Sequence, residues 1–210
     1  MIIDFDDINS YPSEIIKYAE QCDYSNYNKV DFDVDYPIFF EDVLNDYKFI
    51  VYHCTRTLNI NNFKNNGILI PSDEKLQRIL YSDCNGCNIA DLGEFSLGRG
   101  LDIQFVFSLD EIRNDKQYLN FFNHIGGEII EFTEKYDEKK LKNGNCYIIK
   151  FLINGSEINY KTWLIQKMIR KIKYNIPVDF SGSITHQVKP TQIIDYILAD
   201  EIYDKLKEMI

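Results

Sequence analysis

No apolar run in the 210 residues approaches the roughly 20 that a membrane-spanning helix needs, so no membrane segment is expected. The opening MIIDFDDINS is acidic where a secretory signal would be basic, which points to a cytoplasmic protein. The five cysteines (Cys22, Cys54, Cys84, Cys87 and Cys146) are an odd set without disulfide-framework spacing, and a reducing compartment suits them. Positive charge is short: 23 Lys and Arg face 33 Asp and Glu, leaving a net charge of −10. The broad basic face of a non-specific nucleic-acid binder is therefore absent from the composition. The one basic stretch, KTWLIQKMIRKIK at 161–173, reads as the polar side of an ordinary helix, with a partner-binding face as the alternative. Several catalytic signatures are also missing: G-x-S-x-G, a Walker loop, G-x-G-x-x-G after a strand, and H-E-x-x-H. Gly98-Arg99-Gly100 is too short for a phosphate loop.

Apolar residues make up 45% of the chain, enough for a sizeable core, and 14% are aromatic, so tyrosines must share the packing with their hydroxyls near water or a partner. Residues 1–47 read as an acidic helical segment, with helices opening at Ser13 and near Pro37. The acidic alternation DFDVD at 31–35 reads as a solvated loop or edge strand rather than a metal site. From residue 48 onward strands and helices mix. FIVYHC (49–54), ILI (68–70), FVFSL (105–109), EIIEF (128–132), YIIKFLI (147–153), 184–188 and IIDYIL (193–198) are strand candidates. Residues 58–66, 73–82, 116–124, 163–172 and 201–209 have helical spacing. Without strict strand–helix alternation, the fold class is α+β, with 1–47 as a helical extension and 48–210 as the main domain.

Four groups could carry chemistry. His53-Cys54-Thr55-Arg56 sits at the end of an apolar strand; histidine, hydroxyl and guanidinium together could hold a ribose and pyrophosphate, or His53 is a structural histidine beside a helix cap at Thr55 or Thr57. Gly126-Gly127-Glu128 allows close backbone approach before a carboxylate that leads a strand, or is a plain turn. Cys84-Asn85-Gly86-Cys87 lacks a second ligand pair, although His124 or His53 could supply one, and reads as a turn rather than a zinc site. Cys54 and His53 are neighbours on a strand and point to opposite faces, which argues against a Cys/His nucleophile pair.

The order of His53-x-Thr55, the helix closing on Asn66-Gly67-Ile68, the FVFSL strand, and Glu128 resembles the ADP-ribosyltransferase-like fold of the His-Tyr-Glu type, the poly(ADP-ribose) polymerases and diphtheria-type toxins. Val188-Lys189-Pro190-Thr191-Gln192-Ile193 is similar to that family's V-x-P-x-x-I pattern before the last strand. The resemblance covers about residues 48–200. It implies a split mixed sheet and NAD as substrate. It further implies that Glu128 is catalytic and that His53, Thr55 and Arg56 hold the ribose and phosphate. No tyrosine stands clearly in the family's second motif, so Phe107 (or Phe105) beside Ser108, or Tyr118, would stack on nicotinamide. The implied activity is mono-ADP-ribosyl transfer to a protein, nucleic acid or small molecule, in the manner of a toxin or phage-defence effector with an antitoxin or regulatory partner. NAD hydrolysis and a catalytically silent NAD-binding or interaction module are the alternatives.

Overall fold

The computed structural model describes residues 1–21, 36–57, 59–70, 102–109, 145–176 and 180–198. Among them lie β1 (Ile2–Ile3), α1 (Ser13–Gln21), α2 (Phe39–Asn45), β2 (Lys48–Thr57), α3 (Asn61–Asn66), β3 (Ile103–Val106), β4 (Asn145–Asn154), α4 (Lys161–Tyr174), β5 (Ser181–Ile184) and β6 (Ile193–Leu198). The strands form one mixed, mostly antiparallel sheet in the order β5-β3-β2-β4-β6, with β1 parallel on β2. The class is α+β. No described helix is long and apolar enough to cross a membrane.

By packing, the chain divides into two units. The first takes Met1–Val51, Val106–Glu111 and Leu152–Phe180; the second takes Tyr52–Phe105, Ile112–Phe151 and Ser181–Ile210.

The first unit is organised by its acidic N-terminus. Asp4 and Asp7 accept the backbone N–H groups of Asp6 and Asn9, both at 3.0 Å, and the Ser10 hydroxyl closes back on the Asp4 carbonyl at 2.9 Å. Such local bonds favour a tight turn over a helix, and a 3-10 turn at Ile8–Ser10 results. The turn packs Phe5 into a cluster with Tyr11, Phe49 and Phe107, at ring separations of 5.6, 6.1 and 5.3 Å. Asp6 reaches further along the chain: its carboxylate accepts from the Ser108 hydroxyl and, at 3.0 Å, from the Leu109 N–H. This contact accounts for a shift in β3. The strand covers Ile103–Val106 rather than 105–109, because Phe107 N–H pairs with the Phe180 carbonyl and Ser108 and Leu109 turn to Asp6.

The basic stretch forms helix α4, the ordinary helix expected there, but not all of its polar residues face water. Leu164, Ile165, Met168 and Ile169 form its core stripe, but Gln166 and Lys171 are buried as well, and Lys173 Nζ donates to the Glu20 carbonyl at 3.1 Å. Its cations lie among neighbours of the same unit, and α1 packs on it through Ile15 and Ala19, one helical turn apart. Asn175 ends the helix in the left-handed region, φ 51°, returning its N–H to the Lys171 carbonyl.

In the second unit, β4 and β6 pair antiparallel, Tyr147 opposite Leu198 and Ile149 opposite Tyr196, up to a bulge at Lys150/Phe151. Residues 68–70 are not a strand; Ile68 alone bridges Val188, with reciprocal bonds of 3.0 and 2.9 Å. Val188 is fully buried, Pro190 opens a 3-10 turn, and Ile193 starts β6. The expected strand at 184–188 is likewise displaced, to Ser181–Ile184.

Gly67 makes the bridge possible. It has φ 75° and ψ −160°, a region open essentially to glycine alone, and a Cβ there would stand 1.9 Å from the Val188 carbonyl oxygen. Gln187 Nε2 reinforces the same corner by donating to the Asn66 carbonyl at 2.6 Å. Gly67→Ala is expected to lose at least about 1–3 kcal/mol of stability from backbone strain, with the steric clash adding to it. Urea unfolding of the variant against wild type measures this.

Candidate functional site

Strand β2, KFIVYHCTRT, does not stop at His53 but runs on to Thr57. The polar residues after His53 had the look of a strand end; ladder pairing carries the strand through them. Alternation then places Val51, His53, Thr55 and Thr57 on one face, with Tyr52 and Cys54 on the other. Beyond Thr57, side chains take over the backbone: the Thr57 hydroxyl accepts from Asn59 N–H and the Asn59 carboxamide from Asn61 N–H, both at 3.1 Å. Helix α3 therefore begins only at Asn61, three residues later than its apolar spacing suggested.

His53 is half-buried, and its Nδ1 lies 2.7 Å from the Gln104 carbonyl oxygen on neighbouring β3. A carbonyl can only accept, so Nδ1 carries the proton. Burial lowers the imidazole pKa below 6.5, and the bond to Gln104 opposes this in part. The ring at neutral pH is thus uncharged, with Nδ1–H donating and Nε2 left as an acceptor.

Neighbouring strands extend this face. The Gly155 N–H just past β4 donates to the Tyr47 carbonyl just before β2 at 2.8 Å, so the two adjacent strands run antiparallel. Lys150 Nζ lies 5.7 Å from the centre of the Tyr52 ring, so even-numbered residues of both strands share one face and odd-numbered residues the other. The β4–β6 ladder adds Tyr196 beside Ile149 and Leu198 beside Tyr147. Lys64 of α3 holds its ammonium 5.8 Å from the centre of the Tyr196 ring. His53, Thr55, Tyr147 and Tyr196 are all half-buried, and Lys64 is exposed. Burial raises the Tyr196 pKa, which keeps its phenol protonated.

Of the other expected site residues, Phe107 and Ser108 are described with their side chains. Phe107 is fully buried in the first unit, its ring stacked on Phe180 at 5.6 Å and edge-on to Phe5 and Phe49. Ser108 is 1% exposed and donates to Asp6. Both belong to that unit's core. Phe105, the other ring considered, is also buried, 6.0 Å from Phe151. Arg56 is a residue of β2 whose side chain lies outside the described set. Tyr118, Glu128 with Gly126 and Gly127, Cys84, Cys87 and His124 fall outside the described residues. Tyr147, Tyr196 and Lys64 were not singled out by sequence reasoning. Period-2 alternation in the two strand runs was the available signal, but the cross-strand register that groups them is not visible in a single sequence.

Comparison with protein-family models, curated proteins and solved structures gives no match.

The lowered His53 pKa fixes the sign of a pH effect. The unfolded chain takes up a proton near pH 6.5, the folded one only below that, so stability contributed by the neutral ring falls as pH drops through 6.5. Denaturant unfolding at pH 7.5 and 5.5 should show a shallower acid loss in His53→Gln, whose amide can still donate to Gln104, than in wild type.

Proposed function

We propose that the protein is an ADP-ribosyltransferase-like enzyme of the split-sheet type that moves ADP-ribose from NAD to a macromolecular acceptor. The observation that carries this reading is His53: a neutral imidazole fixed through Nδ1 on the Gln104 carbonyl, with Nε2 as acceptor and the Thr55 hydroxyl on the same face. Ribose hydroxyls are donors, and an acceptor nitrogen of set direction orients them. The V-x-P-x-x-I segment supports the fold reading, since Val188, Pro190 and Ile193 take up a bridge, a 3-10 turn and the start of β6.

In this mechanism the bond between the ribose C1′ and the nicotinamide nitrogen breaks, and its electron pair leaves with nicotinamide. The sugar gains oxocarbenium character. The Glu128 carboxylate stabilises that charge, as preorganised anions do at glycosyl centres. His53 and Thr55 hold ribose hydroxyls, and Arg56 meets a phosphate. The acceptor nucleophile bonds to C1′ and gives up its proton to solvent water. With Phe107 and Ser108 packed in a core, stacking on nicotinamide falls to Tyr118 in this reading. A cytoplasmic toxin or phage-defence role with an antitoxin partner follows from the same proposal.

The test compares wild type with Glu128→Gln. Millimolar NAD should raise the Tm of both proteins, while only wild type releases nicotinamide. Faster release with a cell-extract acceptor than in water marks transfer, and equal release marks hydrolysis. NAD binding without release would leave a binding module, and no Tm shift at all would remove NAD from the account.

A further inference from the structure

We propose that the outward stripe of α4, formed by Trp163, Lys167, Arg170 and Tyr174, docks an acidic amphipathic helix of a partner protein. The stripe lies wholly in the first unit, and the proposal does not rest on the transferase reading.

Spacing and burial define the stripe. Residues 163, 167, 170 and 174 are four, three and four apart, so they share one face of the helix. Leu164, Ile165, Met168 and Ile169 turn the other side into the core. Trp163 is 57% exposed, and Lys167, Arg170 and Tyr174, which also have contacts within the protein, are only half-buried. Trp, Tyr and Arg are the side chains that most often carry binding energy at protein interfaces. Apolar surface continues beyond Trp163. The neighbouring Thr162 hydroxyl donates to Glu41 of α2 at 3.1 Å, and Ile38, 81% exposed, stands one turn before Glu41 on the same face. Ile38 thus lies at the Trp163 end of α4.

Charge selects the occupant. Helix α4 carries Lys161, Lys167, Arg170, Lys171 and Lys173 and no Asp or Glu, in a chain of net charge −10. Lys171 is buried and Lys173 bonds to Glu20, whereas Lys167 and Arg170 stand on the stripe. Two cations between an apolar end and an aromatic end match two carboxylates one turn apart with apolar residues on either side. One helix presents that pattern along the ~16 Å of the stripe. Helix α4 already takes such a helix on its flank: α1, which carries Glu14 and Glu20, packs on it through Ile15 and Ala19. A nucleic acid fits less well, because two cations on an acidic chain do not make the broad basic face that phosphate binding needs.

Trp163 is the single tryptophan of the chain, so its fluorescence reports on the stripe alone. The probe is a synthetic Ala-rich helix of about four turns, with two glutamates one turn apart between leucines on one face. It should shift the emission of the full chain to the blue, saturably, shield it from acrylamide, and bind more weakly as salt rises. Lysines in place of the peptide's glutamates, or Lys167→Glu in the protein, should weaken binding by about tenfold or more. Lys17→Glu, the same charge change on exposed α1, should stay within about twofold of wild type. Because the peptide exchange is made on wild type, the test stands whether or not Lys167→Glu folds. No emission change at millimolar peptide, or equal binding of the glutamate and lysine peptides, overturns the proposal. So does tighter binding of a single-stranded oligonucleotide than of the peptide, or a blue shift that grows with protein concentration alone, which would give the stripe to nucleic acid or to a second copy of the chain.

Discussion

A single hydrogen bond, from His53 Nδ1 to the Gln104 carbonyl at 2.7 Å, decides which nitrogen the ring leaves as an acceptor. It fixes the ring plane, the tautomer and the charge. Without it the half-buried imidazole could present either nitrogen as donor or acceptor. The bond exists because β2 continues past the histidine to Thr57 and lies next to β3, whose carbonyl comes within reach. Ladder pairing thus sets the chemistry of a side chain, and the strand's alternation sets which groups accompany it.

The same dependence on distant partners recurs in the rest of the fold. Asp6 binds the Ser108–Leu109 corner across just under half the chain and so ends β3 where it ends. Tyr11, buried against Phe5, donates to the Phe5 carbonyl at 3.0 Å, and burial, with Asp6, Asp4 and Asp7 nearby, raises its pKa far above the ordinary phenol value. The N-terminal acids therefore act as backbone acceptors and turn formers, and their negative charge reinforces a neutral phenol in the core. In the second unit the constraint is steric. Only a residue without a side chain lets the chain after α3 approach Val188.

The parts of this arrangement that sequence reveals are those that local pattern controls. IIDYIL is the strand Ile193–Leu198 to the residue, and YIIKFLI differs from Asn145–Asn154 only at its ends, because β-branched and aromatic runs leave few alternatives. The histidine was legible as a break in an apolar strand. What local pattern does not control was misplaced. The strand was expected to end at Cys54, with Thr55 or Thr57 as a helix cap, although β2 runs on to Thr57. FVFSL looked like a strand throughout, although a carboxylate from residue 6 claimed its last residues. The basic stretch read as the polar side of a helix, although Lys171 is buried. Phe107 and Ser108 had the composition of a stacking site and pack in a core instead. The Lys64–Tyr196 contact joins α3 to β6, a pairing that no local pattern encodes.

The most direct measurement is the protonation state of the His53 ring by long-range proton–nitrogen NMR on ring-labelled protein at pH 7. The account predicts a protonated, pyrrole-type Nδ1 and an unprotonated, pyridine-type Nε2 in a single neutral tautomer. A proton on Nε2, an average of both tautomers, or a doubly protonated ring would contradict it.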